Sequence, residues 1–274
     1  MRFVAIVLVV IFSAAGMSCS IMGESATRTQ EFIADYKPGT QFDIKTRNGR
    51  VEIIADSEVD EMVITATFRA QGSSKEEAEQ RLRSFGLFLE REESGIQMIH
   101  AVFPEDKNSS DACSFLIRTP GGAIGRIQNS NGKISTTGIA GPGNIDTSNG
   151  SITVIDSGAG DLKLSSSNGS VNVSGAAGRV TADTSNGSIE LTLTDNAQGG
   201  FELESSNGKV VIDLPVSIGG EVGVKTSNGS MTVENQNLAL SAHLKKKSGW
   251  LTLSKDGPKS TIETSNGSIK IRLR

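Results

Sequence analysis

Apolar residues in the C-terminal half of this chain fall in pairs spaced by two, and each pair keeps a fixed distance from an Asn-Gly dipeptide. With the Asn as position zero, the apolar positions are minus six, minus four, plus three and plus five. Leu162, Leu164, Val171 and Val173 show the pattern, as do Phe201, Leu203, Val210 and Ile212, then Val222, Val224, Met231 and Val233. Ala242, Leu244, Leu251 and Leu253 continue it around Ser248-Gly249. A period of two is strand periodicity, so each unit predicts two short strands that bury one face. Asn-Gly tolerates positive φ and predicts a corner or tight turn between them.

The dipeptides sit at Asn131, Asn149, Asn168, Asn186, Asn207, Asn228 and Asn266, with Ser248-Gly249 in the remaining gap, at intervals of 18, 19, 18, 21, 21, 20 and 18 residues. An isolated earlier copy is Thr46-Arg47-Asn48-Gly49-Arg50-Val51-Glu52-Ile53. Two architectures accommodate such a repeat. Hairpins closed at Asn-Gly would make an antiparallel β meander or sandwich. Some sixteen strands would then form one wide sheet, whereas open sheets rarely pass ~10 strands, and the repeats offer no helix to cover it. A right-handed parallel β-helix, or solenoid, buries each turn against the next. It also stacks like on like: Thr147, Ser166, Thr184, Ser205, Thr226 and Thr264 at minus two, beside an inward structural ladder of Asn131, Asn149, Asn168, Asn186, Asn207, Asn228, Ser248 and Asn266 whose amides bond along the file. The expected class is therefore all-β, a right-handed parallel β-solenoid of 18–21-residue repeats, with the meander as alternative.

Upstream, Arg2 is the only charge before an apolar run from Phe3 to Ala15, too short to span a bilayer. Residues 1–18 therefore read as a signal peptide. Gly16-Met17-Ser18-Cys19 resembles the lipobox of bacterial lipoproteins, which implies lipidation of Cys19 and a membrane as partner. Ser20 after the Cys is similar to lipoproteins delivered to an outer membrane. Residues 19–30 read as a tether, 31–124 as an N-terminal β region with one helix that caps the solenoid, and 125–274 as the repeats. The capping box Ser74-Lys75-Glu76-Glu77 opens the helix, which is expected to run to about Leu89 with Ala78, Leu82, Phe85 and Leu89 on its apolar side.

Composition narrows the function. Aromatics make up 4% of the chain, which suits a thin aliphatic interior, and 27 basic against 31 acidic residues disfavour nucleic acid as a partner. After Cys19 only Cys113 remains, so a disulfide framework is not available and a small buried residue is expected. His100 and His243 read as solvated or locally bonded. Hydrolase elbow, phosphate loop, dinucleotide fingerprint and zinc spacing are missing, so no cofactor, metal or catalytic residue is expected.

Four further features remain. Position minus three faces outward as Gln128, Asp146, Ser165, Asp183, Glu204, Lys225, Lys245 and Glu263. Rungs about 4.8 Å apart would bring Asp183 near Glu204, a carboxylate pair suited to cleaving a polysaccharide, although the lysines favour a plain solvated face. Gly141 to Asp146 and Gly158 to Asp161 weakly match a calcium-binding nonapeptide, but the spacing is wrong and turns are expected. Lys245-Lys246-Lys247 is a solvated run or a contact for anionic lipid or polysaccharide. Lys270, Arg272 and Arg274 point outward from the final strand, where charge discourages end-to-end stacking.

The Thr-Ser-Asn-Gly-Ser-Ile units, the strand-and-helix segment before them and the lipoprotein-like leader together resemble a bacterial family of unknown function that carries the label "putative adhesins", over roughly Phe32 to Arg274. The resemblance implies β-helical repeats and no established catalytic residues. The expected role is that of a non-enzymatic cell-envelope lipoprotein whose solenoid binds an extracellular glycan or protein. A polysaccharide-active enzyme and a scaffold without ligand are the alternatives.

Overall fold

The computed structural model describes residues 10–12, 23–106, 108–235 and 241–274. Cys19, the expected lipidation site, lies outside the described residues. Among the described residues the fold is all-β with one α-helix, and the chain forms two compact units that divide between Ile134 and Ser135.

The first unit contains β1 (Val10–Phe12), β2 (Glu24–Ala34), β3 (Gln41–Thr46), β4 (Val51–Ala55), β5 (Met62–Gly72), α1 (Lys75–Leu82), β6 (Gly86–Arg91), β7 (Ile96–Val102), β8 (Ala112–Thr119) and β9 (Ala123–Asn129). One sheet is ordered β1-β2-β5-β8-β4 and the other β9-β3-β7-β6. Alternate residues of β5, from Met62 through Ile64, Ala66 and Phe68 to Ala70, are buried, as a half-buried strand requires. Phe42, Ile44, Val51, Ile53, Phe115 and Ile117 complete that core.

Three expectations are corrected here. The presumed tether is strand from Glu24 onward, because β2 pairs antiparallel with β5 over its whole length and backbone pairing tolerates its polar side chains. Val10–Phe12 pairs antiparallel with Thr29–Glu31 along the free edge of β2. The helix ends at Leu82 instead of running to Leu89, since Gly86–Arg91 pairs with β7 as a strand. Ser74 Oγ accepts from the Glu77 amide at 3.2 Å, but the Glu77 carboxylate closes the cap on the Ser73 amide at 2.8 Å, one residue earlier than a capping box would.

The second unit contains β10 (Ile134–Thr137, beginning at the boundary), β11 (Gly143–Thr147), β12 (Ile152–Gly158), β13 (Leu162–Ser166), β14 (Val171–Ala176), β15 (Val180–Thr184), β16 (Ile189–Leu193), β17 (Phe201–Ser205) and β18 (Val210–Leu214). It continues with β19 (Glu221–Thr226), β20 (Met231–Asn235), β21 (Ser241–Leu244), β22 (Ser248–Thr252), β23 (Lys259–Thr264) and β24 (Ile269–Leu273). Its two sheets are β10-β12-β14-β16-β18-β24-β20 and β11-β13-β15-β17-β23-β19-β22-β21. The coils built from β11 through β20, β23 and β24 pair with one another in parallel, with bulges only at the ends of β12 and β14, so this unit is a parallel β-solenoid and not a meander. Equivalent residues lie over one another: Ile145, Leu164, Ala182, Leu203, Ile262 and Val224 form one buried file.

The stacking order is not the chain order. The last coil, β23 and β24, is inserted between the coil of β17 and β18 and the coil of β19 and β20. In the gap, β21 and β22 form an antiparallel hairpin, and β22 lies antiparallel on β19. The 242–253 segment is therefore not a coil, and Ser248 is a strand residue instead of a corner. A pattern of inward and outward positions is the same for a coil and a hairpin, so periodicity alone could not separate them. Because β24 is interior to its sheet, Arg272 and Lys270 do not guard an edge. Arg272 pairs with Asp213 at 3.3 Å and Glu234 at 3.8 Å, and Lys270 with Glu234 at 2.7 Å.

Insertion of the C-terminal coil makes the preceding one depend on it. Deleting residues 258–274 is expected to leave coils 143–214 resistant to limited proteolysis while 215–256 becomes rapidly cleaved. Undiminished protection of 215–256 would show that β19 docks directly on β17 instead.

Candidate functional site

The repeat places two kinds of surface on the second unit: the Thr-Ser-Asn-Gly corner and the outer face of the sheet that contains β17. At the corner, the glycines do not use positive φ, contrary to the expectation, since none of Gly169, Gly187, Gly208, Gly229 or Gly267 has it. They are glycines because the coils touch there. A Cβ on any of these five would lie 1.6–2.0 Å from the carbonyl oxygen of the glycine beneath, a distance that no packing adjustment of a few tenths of an ångström relieves.

The hydroxyl at minus two turns that contact into a chain of hydrogen bonds. Thr184 Oγ1 donates to the Gly169 carbonyl at 3.0 Å and accepts from the Gly187 amide at 3.1 Å. Ser205 repeats this on Gly187 and Gly208, Thr264 on Gly208 and Gly267, and Thr226 on Gly267 and Gly229. The final carbonyl, that of Gly229, accepts from Lys247 Nζ at 2.9 Å. One lysine of the expected solvated run thus ends the chain of bonds, a role that depends on a contact between segments 18 residues apart. In the first unit Thr46 Oγ1 donates to the Cys113 carbonyl at 2.6 Å and Asn129 Nδ2 to that of Gly49 at 2.6 Å.

The Asn file lies outside the hydroxyl file and is exposed, not inward as expected, because the chain bends outward through Ser-Asn before the buried glycine. Asn168 Nδ2 donates to Asn149 Oδ1 at 2.6 Å, Asn186 to Asn168 at 2.7 Å and Asn207 to Asn186 at 2.9 Å. Asn266 then donates to Asn207 and Asn228 to Asn266, both at 2.7 Å, following the spatial order of the coils. Ser248 is absent from this file. Asn131, in the first unit, donates to Asn48 Oδ1.

On the outer face, register gives the order Asp146, Ser165, Asp183, Glu204, Glu263, Lys225, Ser248 on successive strands. Asp183 and Glu204 are direct neighbours, as expected, but Ser165 Oγ donates to Asp183 at 3.0 Å and Lys225 pairs with Glu263 at 3.2 Å. A shallow groove of about 250 Å³ runs over Asp183, Glu204, Glu263 and Lys225. The next row holds what sequence reasoning missed. Trp250, 52% exposed, stacks on His243 with ring centroids 4.8 Å apart and planes 27° from parallel. Its strand partner on the other side is Gly223, and a concavity of about 300 Å³ opens there, bordered by Lys225, Lys245 and Glu263. The signal was present in the sequence: Trp250 occupies plus two, where the other copies carry Ser, Lys or Arg.

The remaining candidates are structural. Of the two calcium-like segments, Gly143 to Asp146 is strand β11 and not a turn, while Ala159 and Gly160 turn the chain after β12 and Asp161 Oδ1 accepts from the Arg179 amide of the next coil at 3.0 Å; among the described residues no acidic, His or Cys cluster has metal-binding geometry. His100 bonds Asp43 at 3.2 Å. Cys113 is fully buried in β8 beside Phe115 and Ile117, and burial pushes its thiol far above the ordinary cysteine range.

A family model described as "Toastrack DUF4097" matches residues 35–272. No curated protein matches. Among solved structures, similarity extends to a "putative cell adhesion protein" from Clostridium sporogenes ATCC 15579, at 14% identity, TM-score 0.33, over 90% of this chain and 100% of that one. A "putative adhesin" from Bacteroides fragilis NCTC 9343 is 11% identical with TM-score 0.35, over 92% and 97% of the two chains. Another from Parabacteroides distasonis ATCC 8503 is 8% identical with TM-score 0.32, over 92% and 98%.

Two stability comparisons follow from the corner. Gly208→Ala is expected to cost on the order of 3 kcal/mol or more in urea denaturation, whereas Gly86→Ala, whose added Cβ meets nothing nearer than 4.0 Å, stays within ~0.5 kcal/mol of the parent. Thr184→Val leaves a buried amide and a buried carbonyl unpaired and should cost about 2–3 kcal/mol. Asn186→Ala, in the exposed file, should cost about 1 kcal/mol; the reverse ranking would shift the stabilising role to the amides.

Proposed function

The chain belongs to the Toastrack DUF4097 family, and from that premise we propose that it is a non-enzymatic envelope lipoprotein, held by a lipid on Cys19, whose repeat unit serves adhesion to or interaction with an extracellular glycan or protein. The observation that carries this reading is the outer face of the second unit. There the parallel stack holds side chains in straight rows at about 4.8 Å per strand, with a half-exposed Trp250 among charged and hydroxyl groups. A rigid row of polar groups loses little conformational entropy when an extended ligand lies along it. An exposed aromatic ring supplies contact area at small entropic cost. The leader supports placement in the envelope, since the Gly16-Met17-Ser18-Cys19 segment has the order of a lipidation signal.

The enzyme reading rests on Asp183 and Glu204 standing side by side on β15 and β17. Against it, Asp183 is already bonded to Ser165 and the pair lies in a shallow, open groove of about 250 Å³. It requires release of reducing sugar from some glycan, lost in Asp183→Asn and Glu204→Gln.

Two measurements test the main reading. Cys19→Ala in cells should move the protein from the membrane to the soluble fraction; unchanged partitioning removes the anchor. The full chain on a glycan and matrix-protein array should give reproducible binding that survives Asp183→Asn, while an array without any binder leaves only a scaffold.

A further inference from the structure

We infer that the concavity beside Trp250 is a subsite for an acidic pyranose, a sugar ring bearing a carboxylate. The inference rests on the interaction reading above and names its ligand class. It begins with the hairpin of β21 and β22, which breaks the repeat and adds two strands to the sheet at the side of β19. On the outward side of those strands the register sets His243, Trp250, Gly223 and Thr261 in one row, and Ser248, Lys225 and Glu263 in the next. Inward positions between them, Val222, Val224, Leu251 and Ile262, are buried. His243 covers one side of the indole at 4.8 Å. On the other side the partner is Gly223, which has no side chain and meets nothing closer than 3.8 Å where a Cβ would stand. The result is an open shelf: an aromatic ring at one wall, backbone for a floor and charged groups at the end.

The size and chemistry of the shelf restrict its occupant. At about 300 Å³ it is at the small end of ligand pockets, room for one sugar ring. The indole offers an apolar surface to the C–H face of a pyranose while its rim faces water. Lys225 and Glu263, paired at 3.2 Å, present a donor and an acceptor to hydroxyl groups. Lys245 forms no ion pair among the described residues, and its ammonium is free to take a carboxylate. A cation would suit the indole but would face Lys225 and Lys245, so a cationic ligand is disfavoured.

The same features argue against a bilayer. Leu244 is exposed but alternates with His243 and so belongs to the opposite side of the hairpin from Trp250. A single aromatic residue beside the Glu263 carboxylate has little apolar area to insert and would meet repulsion from anionic headgroups.

The chain contains one Trp, so its fluorescence reports this shelf alone. Titration of the full chain with tetragalacturonate is expected to change Trp250 emission saturably, with uncharged cellotetraose at least about tenfold weaker, as loss of a charged hydrogen bond requires. Lys245→Ala should weaken tetragalacturonate by about tenfold or more and leave cellotetraose unchanged. By calorimetry, Trp250→Phe should retain binding and Trp250→Ala, an exposed site whose fold is checked by circular dichroism, should abolish it. Equal response to both sugars, insensitivity to Lys245→Ala, or a response only to phosphatidylglycerol vesicles overturns the subsite. Array binding that persists in Trp250→Ala also overturns it while leaving the interaction reading intact; an array with no ligand at all ends both.

Discussion

The second unit depends on how closely its coils approach at one point. Where Gly169, Gly187, Gly208, Gly267 and Gly229 succeed one another, backbone lies on backbone with no room for a side chain. That approach brings each buried carbonyl within reach of the hydroxyl at minus two of the next coil, and each hydroxyl in turn takes the amide of its own glycine. Buried backbone groups that would otherwise lose their partners at a corner are thus satisfied without water. The interior can then stay thin and aliphatic, with Phe201 as its one large aromatic residue among Leu, Ile, Val and Ala. The amide file outside adds further bonds, but in solvent, where each contributes less.

Uniform corners have a topological consequence. Since every coil offers the same glycine, hydroxyl and apolar files above and below, one interface is much like another, and chain order does not dictate stacking order. The C-terminal coil takes the place between β17 and β19, and its neighbours accept it through the same contacts, with Thr264 donating to Gly208 and Thr226 to Gly267. What differs lies on the outside: Arg272 reaches Asp213 on one side and Glu234 on the other, and Lys270 also reaches Glu234, whose carboxyl the hydrogen bond from Lys270 holds below its usual range. These charges fit the observed neighbours. The hairpin after β20 also occupies β19, whose remaining edge is filled by β22.

Function, on this account, is separated from stability by the strand alternation. Inward residues are constrained by the file above and below, while outward ones are free to vary without disturbing the stack. The outer row from Asp146 to Lys225 changes from acidic to basic across the sheet, and the hairpin sets Trp250 next to its basic end. The most distinctive chemistry of the unit is therefore found where the repeat breaks, not where it is regular.

Much of this was legible from residue order. The period of two fixed the inward positions, so that Leu162, Leu164, Val171 and Val173 are buried as their spacing demands, and the recurrence of Thr-Ser-Asn-Gly implied stacking of equivalents, because only a stack gives identical residues identical surroundings. Local sequence could not say that Asn faces solvent and glycine the neighbouring coil, since both suit a corner. Nor could it reveal that 242–253 is a hairpin, that Glu24 begins a strand, or that the last coil is inserted between two earlier ones. Those outcomes depend on which strand edges are open and which charges meet across them, and such contacts exist only between segments far apart in the chain.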